Sequence, residues 1–159
     1  MDGDSWLQVF ILTLCVIGAA YFACAESAFS SMNRIKMKSR AEDGDRRAKN
    51  AMYITNNFER AITTMLIGIN VTHIATASIA TVLAEQYVPN LSSVYVTLIT
   101  TVVVFLFCEM IPKALAMDRP QSLSLAFSGS MRFFMKLLYP IVAFFTWISS
   151  FVTRLFQGD

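Results

Sequence analysis

The stretch "FLFCEMIPKAL", residues 105–115, sets a carboxylate, Glu109, three residues ahead of Pro112 and four ahead of Lys113, near the end of the apolar run "VYVTLITTVVVFLFCEMIP". Inside a membrane span an ionisable group is costly, so function is its default explanation. Pro112 has no N–H to offer the carbonyl of Cys108, and its ring pushes that carbonyl aside. A π-bulge or a locally unwound turn would free more backbone oxygen, for example at Phe105. Carboxylate, amide and carbonyl oxygens are hard ligands that suit Mg²⁺, Ca²⁺ or Na⁺. The alternative is a Glu109–Lys113 pair at i, i+4 that holds the helix end together without an ion.

Two other runs carry polar groups of the same kind. In "MLIGINVTHIATASIAT", Asn70, His73, Ala77 and Thr81 recur at three- and four-residue steps and share one helix face, with Gly68 beside Asn70 as a place where the helix can loosen. Such a face avoids lipid, either as a pathway or through interhelical hydrogen bonds of Asn, Thr and Ser. Asn70 is the candidate ligand. His73, the chain's only histidine, belongs to a pathway or to packing. In "ACAESAFSS", Glu26 sits among small residues with Ser27 next to it. It lines a pathway, or it reaches the membrane edge and pairs with Arg34 or another base.

The elements that must position these groups are membrane helices. The 159 residues are 55% hydrophobic with a mean hydropathy of +0.53, and the charges are clustered. A span needs about 20 helical residues. Apolar runs over about 6–30, 61–86 and 93–115 meet that length. The segment 31–60 is polar and strongly basic, with Arg34, Lys36, Lys38, Arg40, Arg46, Arg47, Lys49 and Arg60, whereas the connection "VPNLSS" has no Lys or Arg. The positive-inside rule then puts 31–60 in the cytoplasm and the amino terminus outside. Lys113 and Arg119 follow the third span on the cytoplasmic side, and Trp6, Tyr87 and Tyr95 fall at an outer aromatic belt. The tail 120–157 is apolar but interrupted by Arg132, Lys136, Pro140 and Arg154. It is expected as two helices broken at Pro140 that lie along the cytoplasmic interface and reach toward anionic headgroups, with a fourth crossing as the alternative.

Several classes recede. Cys15, Cys24 and Cys108 lie in apolar runs without CxxC or Cys/His spacing, which suggests neither a disulfide framework nor a zinc site. The acidic start "MDGDSW" is not that of a signal peptide. No Ser/Lys, Ser/His, paired-aspartate or HExxH arrangement suggests an enzyme. The basic segment beside a span is a positive-inside loop rather than a nucleic-acid surface. A membrane anchor or assembly module, which would use the polar faces only for packing, remains the competing class.

"AESAFSSMNRIKMKSRAEDG", "LIGINVTHIATASIAT" and "CEMIPKALA" together resemble, in order and spacing, the signatures of the CorC/cyclin M transmembrane domain over essentially the whole chain. The resemblance implies an all-α integral membrane homodimer, each protomer with three transmembrane helices and a cytoplasmic belt of juxtamembrane helices. It implies Mg²⁺ export, thought to be driven by inward Na⁺. Glu109 would be the central ligand, Asn70 a side-chain oxygen, and Phe105 a backbone ligand. Ser27, or water, would replace a family serine where this chain has Ala23. Gly68 and Pro112 would be hinges. Ile69, His73 and Cys108 depart from residues common in the family. Relatives usually continue into CBS and CorC-type domains; nothing of that kind fits these residues, so the chain is expected as a lone transmembrane domain without ATP binding.

Overall fold

The computed structural model describes residues 3–158, and among these the backbone is helical with no strand. The helices are α1 (Gly3–Ser31), α2 (Arg34–Glu42), α3 (Arg46–Asn56), α4 (Phe58–Tyr87) and α5 (Ser93–Phe105), then a π-helical turn (Leu106–Met110), α6 (Ile111–Asp118), α7 (Pro120–Leu137) and α8 (Tyr139–Gln157). The chain forms two compact units, one from residues 3–33 and 65–124, the other from 34–64 and 125–158.

In the first unit, α1 packs against the π-helical turn and α6. α1 also carries fully buried alanines at 19, 23, 25 and 28, and small side chains let membrane helices pack closely. α4 comes close to α1 at Gly68. A Cβ on Gly68 would stand 2.7 Å from ring carbons of Phe22, which is 7% exposed and has little room to move. α4 continues through Gly68 unbroken, so close packing gives this glycine a role besides the expected hinge. Gly68→Ala should destabilise the protein by about 1–3 kcal/mol through overpacking. Chemical denaturation in detergent checks this, with Phe22→Leu in the same chain recovering part of the loss.

The hydroxyls on α4 satisfy themselves locally. Thr72 donates to the Gly68 carbonyl at 2.7 Å, Thr76 to Thr72 at 2.6 Å and Thr81 to Ala77 at 2.8 Å. The interhelical bonds expected of these threonines are therefore replaced by bonds one turn back within the helix.

In the second unit the basic segment folds into α2 and α3, which pack on each other. Gly44, at φ +98°, makes the turn between them in a conformation that suits glycine. Asp45 caps α3 by accepting from the amides of Arg47 and Ala48 at 3.0 and 3.4 Å, and its carboxylate is 2.8 Å from Arg40. The hydrogen bond from Arg40, joined by those two amides, lowers the Asp45 pKa below its ordinary value. A depressed carboxylate contributes stability that is present above its unfolded pKa and lost as pH falls through the folded one. Protection of the Arg47 and Ala48 amides, taken relative to the intrinsic exchange rate at each pH, should therefore fall as pH drops below the usual aspartate range. Asp45→Asn, which still caps, should flatten that dependence.

Gly3–Ser31, Phe58–Tyr87, Ser93–Asp118 and Tyr139–Gln157 are each long and apolar enough to cross a membrane. The first three contain the expected spans with slightly wider limits. The tail forms two helices that meet around Leu138, with Pro140 in the first turn of α8, where its missing N–H costs nothing. On α8, Thr146, Ser149, Ser150, Thr153, Arg154 and Gln157 form one polar stripe opposite Trp147, Ile148, Phe151 and Leu155. α8 is thus amphipathic as well as long enough to span.

Candidate cation site

Glu109 lies within the π-helical turn, between α5 and the first turn of α6. Ile111 donates its N–H to the carbonyl of Leu106, five residues back, which is the wide π register. Pro112 follows directly and has no N–H to give. An extra residue per turn and a missing donor thus coincide at the carboxylate, in a class of turn frequent at functional sites. Phe105 closes α5, so its carbonyl enters this irregular turn.

Lys113 joins two carboxylates that are distant in sequence. Its Nζ is 3.4 Å from Glu109 Oε1 and 3.7 Å from Glu26 Oε2. All three side chains are partly buried, at 34%, 32% and 21% exposure for Lys113, Glu109 and Glu26. The i, i+4 pair expected as an alternative to an ion site is present. The base that meets Glu26 is Lys113, on α6, rather than Arg34. Ser27 is half-buried next to Glu26 on α1.

Beside Glu109 runs a groove of about 340 Å³ lined by His73, Ile74, Ala77, Thr101, Val104 and Phe105. His73 and Ala77 belong to the polar face read from the sequence. His73, which lines this groove, has its Nε2 buried without a hydrogen-bond partner among the described residues. Asn70 is on the same helix but exposed in the single chain, and it does not line this groove. Cys108 is 1% exposed and lines a different, apolar groove with Val16, Thr76 and Phe107. Cys108 therefore packs away from the carboxylate's groove.

Among the described residues no three of His, Cys, Asp and Glu come together as a metal cluster. The arrangement instead offers two carboxylates that share one tethered ammonium, with an imidazole lining the groove beside Glu109. It can hold a cation by charge compensation, and a hard divalent ion with so few protein ligands would keep much of its hydration. The sequence did not reveal the Glu26–Lys113 contact, which only the α1–α6 packing creates.

Residues 10–158 match the family described as the cyclin M transmembrane N-terminal domain. A UPF0053 protein from Haemophilus influenzae is 26% identical over 155 residues, covering 97% of this chain and 36% of that protein. The UPF0053 inner membrane protein YfjD of Escherichia coli is 26% identical over 137 residues, covering 86% of this chain and 31% of that protein. A polyamine export protein from Haemophilus influenzae is 25% identical over 162 residues, covering 94% and 38%. The chain spans about a third of the length of the curated relatives it matches.

Proposed function

Because the chain belongs to the cyclin M transmembrane N-terminal domain family, we propose that this multi-pass membrane protein exports divalent cations, chiefly Mg²⁺, in exchange for Na⁺, as a homodimer. Each protomer would cross three times, with the amino terminus outside and α7 and α8 lying as a belt on the cytoplasmic side. The polar stripe of α8 supports the belt, since a lone spanning helix would leave that stripe in lipid. Exposed Asn70, amid exposed Leu66, Val71 and Ile74, supports a second copy covering this face of α4.

The observation that carries the reading is Lys113 Nζ lying within 4 Å of both Glu109 and Glu26, beside the π-helical turn. A protein that keeps an ammonium between two carboxylates has a place for a cation and a built-in counter-charge for the ion-free state. An arriving Mg²⁺ displaces Lys113, and the carboxylates offset the cost of leaving water, which neutral dipoles alone could not. Glu109 is the central ligand, the Phe105 carbonyl a neutral one, and His73 Nε2 accepts from water retained by the ion. Asn70 and Ser27 join only when the helices rearrange, with Pro112 as the hinge.

One observation favours a second reading. What already sits between the carboxylates is a primary ammonium, and the groove reaching Glu109 has the apolar walls of Ile74, Val104 and Phe105, which fit a methylene chain. A polyamine has both parts. Flux in proteoliposomes separates the two: Mg²⁺ efflux that depends on an opposing Na⁺ gradient and is unmoved by putrescine supports the first reading. Putrescine transport with no Mg²⁺ flux replaces it with the second. Absence of both fluxes returns the chain to the anchor class.

A further inference from the structure

The second unit contains a cation cluster that the site at Glu109 does not use. Arg60 of α4 and Arg132 and Lys136 of α7 line one groove of about 450 Å³, together with Tyr53, Gly129 and Tyr139. No carboxylate lines it, and none of the three cations has an ion pair among the described residues. Both guanidiniums are held by aromatic faces instead. Arg132 sits 4.1 Å from the Tyr53 ring centre and donates to Asn50 Oδ1 at 2.7 Å, and Arg60 sits 5.0 Å from the Tyr139 ring centre. A guanidinium stacked on a ring is fixed in orientation while most of its N–H groups stay free, an arrangement suited to phosphate oxygens.

A second groove, of about 430 Å³, shares Arg60 and Tyr139 with the first and continues along α8 past Val142, Ala143, Trp147 and Phe151, with Thr146, Ser150 and Arg154 of the polar stripe also lining it. A cationic pocket thus opens into a mainly apolar channel along an amphipathic helix, edged by two hydroxyls and by a further cation, Arg154. We infer that the two grooves bind one anionic phospholipid, its phosphate between Arg60, Arg132 and Lys136 and an acyl chain along Val142, Ala143 and Trp147. Free phosphate would use only the first groove; the apolar continuation is what selects a lipid.

Gly129 gives a test that leaves the charges intact. Gly129 lines the groove and a Cβ there meets nothing within 4 Å, so Gly129→Phe adds bulk at the groove wall from a position with open space. The whole chain is purified in a neutral detergent, and binding of phosphatidylglycerol, phosphatidylcholine and inorganic phosphate is measured by native mass spectrometry and thermal shift. Phosphatidylglycerol should bind at least fivefold more tightly than phosphatidylcholine, and millimolar phosphate should not displace it. Both Gly129→Phe and Arg132→Gln/Lys136→Gln should reduce it to the phosphatidylcholine level. Gly129→Phe alone decides the matter if the double variant does not fold. Retention of the preference in Gly129→Phe overturns the inference, as does equal binding of the two lipids or displacement by phosphate.

Discussion

Replacing Glu109 by Gln should abolish cation flux while leaving the cation-free protein folded. Gln is nearly isosteric and keeps a carbonyl oxygen, so the change removes charge and little else. A buried divalent ion that loses one of two compensating carboxylates loses about 3 kcal/mol, or roughly a hundredfold in occupancy. The expected result in proteoliposomes is flux at the empty-vesicle level, with the melting temperature in chelator close to that of the wild type. If the polar groups of this chain served only packing, Glu109→Gln would be tolerated in both measurements.

Lys113→Met should act in the opposite direction on binding. The lysine stem packs as Met does, but the ammonium between Glu26 and Glu109 is gone. The two ion pairs are partly exposed, so each is worth at most about 1 kcal/mol after screening. The cation-free protein should therefore lose a little stability, while the apparent affinity for Mg²⁺ rises about tenfold because the ion no longer displaces a resident charge. Mg²⁺ titrations monitored by thermal shift give both numbers. A loss of stability with unchanged Mg²⁺ affinity would make Lys113 a structural partner only.

The parts of this site legible in the sequence were those that local chemistry fixes. Pro112 after an apolar run forces a backbone irregularity within one turn, and the π-helical turn Leu106–Met110 lies there. Pro140 likewise breaks the tail into α7 and α8. Residues three and four apart on one helix share a face whatever surrounds them, so His73 and Ala77 could be paired in advance, and both line the groove of Glu109. Contacts between elements distant in the chain could not be read. Glu26 and Lys113 meet because α1 packs on α6, and nothing in either segment names its partner. Gly68 reads as a loosening signal until the Phe22 ring is found against it. Threonine hydroxyls suggest partners on other helices, yet they bond their own helix because the i−4 carbonyl is within reach of Oγ. Asn70 shows the same limit, since its exposed side chain in one chain gives no account of what covers it.

The central claim is that Glu109 anchors a cation site, and Mg²⁺-dependent melting of the purified protein tests it most directly. In wild type the melting temperature should climb and saturate with Mg²⁺, since a ligand that binds only the folded state stabilises it by mass action. Added Na⁺ should shift that curve to higher Mg²⁺, and Glu109→Ala should give a flat response. A saturating rise of equal size in Glu109→Ala would contradict the account.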